Sequence, residues 1–266
     1  MYQTNYHRAS SVDEAAGLVK KADDGKFVSG GMTLIPAMKQ RLASPSDLID
    51  LRHIKDLKGI KVSGNSVTIG AATTHAEVAG NADLAKVCPA MCHLASHIGD
   101  PHVRHMGTIG GSVANNDPAA DYPAALLALD ATIVTNQRQI AAADFFTGLF
   151  ETALNDDEIV TAVSFTAPDR CGYAKFPNPA SRYAMTGVFV ASSGGGVKAA
   201  VTGAGDDGVF RSPEIETALS RSFDASALDG VSVSAGSLMS DIHASADYRA
   251  NLVVVMAKRA VAAANG

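Results

Sequence analysis

Apolar positions along this chain come in short runs, and none keeps a single period for long. Ser11-Val12-Asp13-Glu14 has the spacing of a capping box, in which the hydroxyl accepts an early helix amide and the carboxylate reaches back. It predicts a helix running to about residue 22. Residues 26–29, Lys-Phe-Val-Ser, predict a short strand broken by Gly30-Gly31. Helical spacing resumes over 34–40, with Pro36 tolerated in the first turn, and 48–51 predicts a buried strand. Ser63-Gly64-Asn65 predicts a turn into a strand over 67–69. Thr74-His75-Ala76-Glu77 repeats the capping box, 89–97 predicts a longer helix, and 108–115 is glycine-rich. Pro118 opens a predicted helix to about 129, capped by Asp117. Strands follow over 131–135 and 158–166.

Pro168-Asp169-Arg170-Cys171-Gly172 is a turn-rich break and marks a domain boundary. Beyond it, 187–191 and 197–201 predict a hairpin across 192–196, with helices near 213–220 and 245–264. This irregular alternation points to a mixed α+β class rather than a regular doubly wound sheet. No internal repeat is present.

Composition narrows the function. The 266 residues are 47% hydrophobic and 18% charged, as expected of a folded chain. A net charge of −5 leaves no electrostatic footprint for nucleic acid. Lys20-Lys21 is too short a basic cluster to be more than a solvated helix face. The apolar run 252–256 closes at Lys258-Arg259 and predicts a buried helix face, not a membrane span. Residues 1–8 lack the apolar run of a leader. Three cysteines cannot complete a disulfide set, so a reducing, cytoplasmic location is expected.

Two patterns invite over-reading. Gly203-Ala204-Gly205-Asp206-Asp207-Gly208 matches Gly-x-Gly-x-x-Gly after a strand. A dinucleotide site needs a helix to start there, and Val209-Phe210-Arg211-Ser212-Pro213 does not start one; two carboxylates would also face a dianion. A surface loop is expected. Cys88, Cys92, His93, His97, His102 and His105 resemble zinc ligands in type, but no Cys-x-x-Cys pair exists, and buried cysteines usually pack as small hydrophobes.

Two segments carry the candidate chemistry. In Val28-Ser29-Gly30-Gly31-Met32-Thr33-Leu34 a strand ends in two glycines and a helix starts. Successive amides there can form an anion nest, helped by the helix N-terminus. In Gly107-Thr108-Ile109-Gly110-Gly111-Ser112-Val113-Ala114-Asn115-Asn116-Asp117 two glycines again follow a hydroxyl residue, and Asp121 lies a turn further on. Either segment alone reads as an ordinary turn; together they can hold a pyrophosphate without any lysine.

With their flanks, Ile35 to Leu42 and Asp100 to Asp121, these segments resemble the FAD-binding subunit of the xanthine oxidase (molybdenum hydroxylase) family. The nearest variety is the medium subunit of aerobic carbon monoxide dehydrogenases. The resemblance implies a two-part FAD-binding domain of the PCMH/vanillyl-alcohol-oxidase type over 1–168, split near 56–60. A smaller α+β C-terminal domain would follow over 169–266. It implies that Ser29, Gly30, Gly31, Met32 and Thr33 form the first pyrophosphate loop, led into by Lys26, Phe27 and Val28. Gly107, Thr108, Gly110, Gly111 and Ser112 would form the second. Ile98 and Gly99 would touch the flavin or its phosphate arm, and Asn115 and Asp121 would hold the ribityl or phosphate region. Val160 and Thr161 would lie on the dimethylbenzene or pyrimidine side, with Lys175 near the isoalloxazine carbonyl. Relatives often carry a histidine or serine-rich first loop where this chain has Met32 and Thr33.

The resemblance further implies that no substrate is oxidised on this chain. A large subunit would hold molybdopterin and a small one two 2Fe–2S clusters, in a dimer of heterotrimers. Electrons would pass through FAD to an external acceptor, with peripheral membrane association through that acceptor. Carbon monoxide, an aldehyde or an N-heterocycle would serve as substrate elsewhere in the complex. A stand-alone FAD oxidoreductase and a flavin-binding structural subunit are the alternatives left open.

Overall fold

In the computed structural model, which describes residues 1–194 and 196–266, the chain lays down three larger sheets in succession and one two-stranded ribbon. The first segment runs β1 (Asn5–Arg8), α1 (Val12–Val19), β2 (Gly25–Val28), α2 (Leu34–Lys39) and β3 (Asp47–Asp50). Its strands pair in parallel in the order β1-β3-β2. Ser11 caps α1 by accepting the Glu14 amide. The Glu14 carboxylate, however, takes the Ser10 amide at 2.8 Å, one residue earlier than a capping box requires. α1 ends at Val19 rather than near 22, because Lys21 and Ala22 tighten onto carbonyls three residues back.

The middle segment opens with β4 (Ile60–Ser63) and β5 (Ser66–Gly70). Short helices follow: α3 (His75–Ala79), α4 (Ala82–Val87), α5 (Pro89–Ser96), α6 (Pro101–Met106), α7 (Ile109–Asn115) and α8 (Tyr122–Ala128). Then come β6 (Thr132–Thr135), β7 (Gln139–Ala141), α9 (Ala142–Phe145), the ribbon β8 (Phe146–Gly148) and β9 (Glu151–Thr152), and β10 (Val160–Thr166). The sheet is antiparallel in the order β4-β5-β10-β6-β7. The capping box at Thr74 is complete. The helix expected from Pro118 is not there. Asp117 Oδ1 accepts the Ala119 amide at 2.9 Å, so its carboxylate closes a turn instead of capping a helix, and α8 starts only at Tyr122.

The last segment comprises β11 (Arg170–Pro177), β12 (Ala184–Ser193), β13 (Gly196–Gly205), β14 (Gly208–Arg211), α10 (Pro213–Arg221) and α11 (Ala246–Asn265). The expected hairpin is β12–β13, longer at both ends than the apolar runs; Gly195, inside the expected turn, lies outside the described residues. The Gly-x-Gly-x-x-Gly stretch is the next hairpin, Gly205 pairing with Gly208 across Asp206-Asp207.

Alternation along β12 explains how the sheet is covered. Phe189 and Ala191 face the core shared with α5 and α8, while Val188 and Val190 face α10 and α11. Tyr173 and Phe189 therefore complete the core of the middle segment. Cys88 and Cys171 meet in that core with sulfurs 3.7 Å apart, both as free thiols. Among the described residues, no helix is long and apolar enough to cross a membrane.

Candidate functional site

A cleft of about 890 Å³ lies where the first two sheets meet, within the size range of cofactor sites. Its walls are the 26–34 segment, the turn at 98–99, the start of α7, the 117–121 turn and the β9–β10 connection. Leu51, Leu57, Ala72 and Ile159 make one apolar stretch.

The first glycine pair behaves as expected, for two different reasons. A Cβ on Gly30 would stand 2.2 Å from the Met106 carbonyl oxygen, so the β2–α2 turn is pressed directly onto the backbone before α7. Gly31 has φ +72°, which a side chain disfavours. The resulting turn leaves the amides of Gly31, Met32, Thr33 and Leu34 without a protein acceptor among the described residues. Successive unpaired amides at the start of a helix are open to water and can equally receive an anion, toward which the helix N-terminus adds partial positive charge.

The second pair works differently from expectation. Residues 109–115 form helix rather than loop, and the amides of the glycines are spent inside the protein. Gly110 donates to Ala71 O at 2.9 Å and Gly111 to Thr108 Oγ1 at 3.2 Å. Gly110 is needed for packing, since a Cβ would lie 2.4 Å from that of Ala71. Thr108, the N-cap of α7, also donates to Ser29 Oγ at 2.9 Å and so ties the two segments together. Gly111 and Ser112 still face the cleft.

All the expected site residues line the cleft except Thr161 and Lys175. Thr161 is the extra residue where the β10–β6 register shifts between Val160 and Ala162, and its Oγ1 donates to Val134 O at 3.1 Å. Lys175 is buried in an ion pair with Asp121 at 2.9 Å and donates to His97 O at 2.8 Å. Its ammonium is thus committed beneath the cleft wall. The Tyr173 hydroxyl also binds Asp121, whose carboxyl is pushed up from its ordinary value by burial, against the pull of Lys175. Asp117 is likewise raised by burial.

His75 is a lining residue that its capping-box neighbours concealed. It is buried on α3, with Nδ1 3.2 Å from the Tyr122 hydroxyl, and burial with the nearby Arg104 charge lowers its pKa to about 4. A neutral imidazole therefore sits at the cleft floor. Arg104 donates to Ile98 O at 3.0 Å and fixes the 98–99 turn. The cleft mouth carries Phe150, with φ +57°, and Tyr183, neither of which has a local sequence signal. What places Phe150 is legible afterwards: Asn116 ends α7 in the left-handed conformation, and its Nδ2 bonds the carbonyls of Gly148 and Glu151.

The Cys/His set divides between core and surface: Cys88 and Cys92 are buried as free thiols, whereas His93, His97, His102 and His105 are exposed.

Residues 2–168 match the family described as the FAD binding domain in molybdopterin dehydrogenase. The chain is 35% identical to the carbon monoxide dehydrogenase medium chain of Afipia carboxidovorans, covering 97% of this chain and 95% of that one. It is 34% identical to the nicotine 6-hydroxylase medium subunit of Paenarthrobacter nicotinovorans, over 96% and 95%. A solved structure of reconstituted CO dehydrogenase from Oligotropha carboxidovorans superposes with a TM-score of 0.87 at 33% identity, covering 99% of this chain and 98% of that chain.

Proposed function

Because the chain belongs to the family of FAD-binding subunits of molybdopterin dehydrogenases, we propose that it relays electrons from 2Fe–2S clusters on a partner subunit to an external acceptor. FAD, when bound, supplies redox chemistry that the protein's own side chains lack. The observation that carries the reading is the row of unpaired amides from Gly31 to Leu34, opening into a cleft of cofactor size. Those amides would receive the pyrophosphate, with Ser29 and Thr108 closing the opposite side of the turn. The apolar stretch at Leu51, Leu57 and Ile159 would exclude water from a ring system.

Substrate oxidation is assigned to another subunit. Three carboxylates of the cleft lining have internal roles: Asp121 is paired, Asp117 closes a turn, and Glu158 is held by Arg138 at 3.0 Å. The relatives named for carbon monoxide and for nicotine are matched about equally, which fits a subunit whose sequence does not record the substrate. Carbon monoxide is one member of the proposed set. A molybdenum-bearing large subunit and a 2Fe–2S small subunit are the proposed partners, supported by relatives named as medium chains.

The test is a visible spectrum of the full chain purified with its copurifying subunits. Flavin bands are expected, bleaching on substrate addition only when the partners are present. Folded protein that takes up no FAD would sink the cofactor assignment. Bleaching by a small substrate without partners would replace the relay with a self-contained oxidoreductase.

A further inference from the structure

The 117–121 turn lines the cleft through Asp117, Ala120 and Asp121, yet it has few bonds of its own. Within it, Asp117 receives the amides of Ala119 and Ala120. Its three outward carbonyls are all received by the end of the β12–β13 hairpin. The Gly203 amide donates to Pro118 O at 2.9 Å, and the Ala184 amide to Ala119 O at 3.4 Å. Thr202 Oγ1 lies 2.6 Å from Ala120 O and 3.1 Å from Pro118 O, and Thr202 is wholly buried. A hydroxyl has one proton to donate, and the shorter contact with Ala120 marks where it goes.

This grip explains the first glycine of the misleading Gly-x-Gly-x-x-Gly stretch. Gly203 has φ +78°, and a Cβ there would fall 2.2 Å from Ala184 O. The β13–β14 register breaks between Val201 and Gly205, freeing the Gly203 amide to face Pro118. Arg249 on α11 then locks the irregularity. Its Nη1 donates to Met185 O at 2.5 Å and Gly203 O at 2.7 Å, while Nη2 holds Asp241 at 2.8 Å.

We propose that Thr202 is a positioning residue for the FAD cleft, its buried hydroxyl holding Ala120 so that the 117–121 turn keeps the shape the cofactor requires. The C-terminal segment thereby sets cofactor affinity without lining the cleft at this point. The inference rests on the FAD reading above.

Thr202→Val keeps the shape of the side chain and removes only the donor, leaving the Ala120 carbonyl buried and unpaired. FAD is to be stripped from and returned to the full chain, with whatever subunits copurify, and its dissociation constant and the melting temperature of the stripped protein measured. The expected result is about tenfold weaker FAD binding, the scale of one lost buried hydrogen bond. Thr202→Ser, which keeps the hydroxyl, should restore binding to near the unsubstituted level. If Thr202→Val fails to fold, Thr202→Ala is read the same way. Unchanged FAD affinity in the hydroxyl-less variant, whatever its melting temperature, overturns the proposal. So does an equal loss in Thr202→Ser, which would assign the effect to the methyl group. Failure of the unsubstituted chain to take up FAD would instead overturn the cofactor reading itself.

Discussion

At Gly30 the sequence suggests room for a ligand, whereas the structure shows another stretch of backbone in that place. A Cβ would meet the Met106 carbonyl oxygen at 2.2 Å, and neither partner is a flexible side chain that can give way. Gly30→Ala should therefore shift the nest and lower flavin content several-fold, read from the ratio of flavin to protein absorbance. A substituted protein with full flavin content would show that the contact is dispensable. His75 gives a pH prediction. Its folded pKa of about 4 lies below the ordinary 6.5, so between these values the unfolded chain binds the extra proton. The stability it contributes is complete above about pH 6.5 and is lost as pH falls toward about 4, by on the order of 3 kcal/mol in all. Urea unfolding at about pH 7 and pH 5 should show a loss that His75→Gln reduces; equal losses would reject the assignment. His75 is a residue the sequence marked only as part of a cap, because burial is not a local property.

Among the elements, α7 shows how one residue can serve both local and long-range structure. Thr108 caps the helix through the Gly111 amide and reaches Ser29 in the β2–α2 turn. Thr108→Val should cost about 1–2 kcal/mol in unfolding free energy from the lost cap and also weaken FAD binding. A stability loss with unaltered FAD binding would confine Thr108 to capping. In the sequence α7 reads as a turn, because glycines disfavour helix by about 1 kcal/mol each. Here the close approach of Gly110 to Ala71 outweighs that propensity. Where capping is purely local, as at Thr74, the sequence predicted the bonds correctly. Where longer-range structure intervenes the outcome differs: Glu14 takes the amide of Ser10 instead of Ser11, and Asp117 takes the Ala119 amide that a cap would take, yet no helix follows it.

On the scale of the whole molecule, the C-terminal sheet is not an appendage. Tyr173, Phe189, Ala191 and Ala200 belong to the same buried core as α5 and α8. A chain cut after residue 168 should expose that apolar face and aggregate or lose flavin, as size-exclusion chromatography and absorbance would show; a monodisperse, flavin-loaded fragment would contradict this. The mixed α+β class, the β12–β13 hairpin, most helix positions and the two glycine segments of the cleft were legible in the sequence, whereas His75, Phe150 and Tyr183 in its lining were not. Periodicity, glycine pairs and turn residues act over a few neighbours, and those patterns are written along the chain. Tertiary structure alone decided how the two glycine pairs divide their work. The amides beside the first remain free because they lead into and begin the first turn of α2, whereas those of the second are consumed by Ala71 and Thr108. It also decided that Val160 faces the cleft and Thr161 does not, and that Lys175 turns to Asp121. Strand facing and the partner of a buried charge depend on residues distant in sequence, and only packing brings those together.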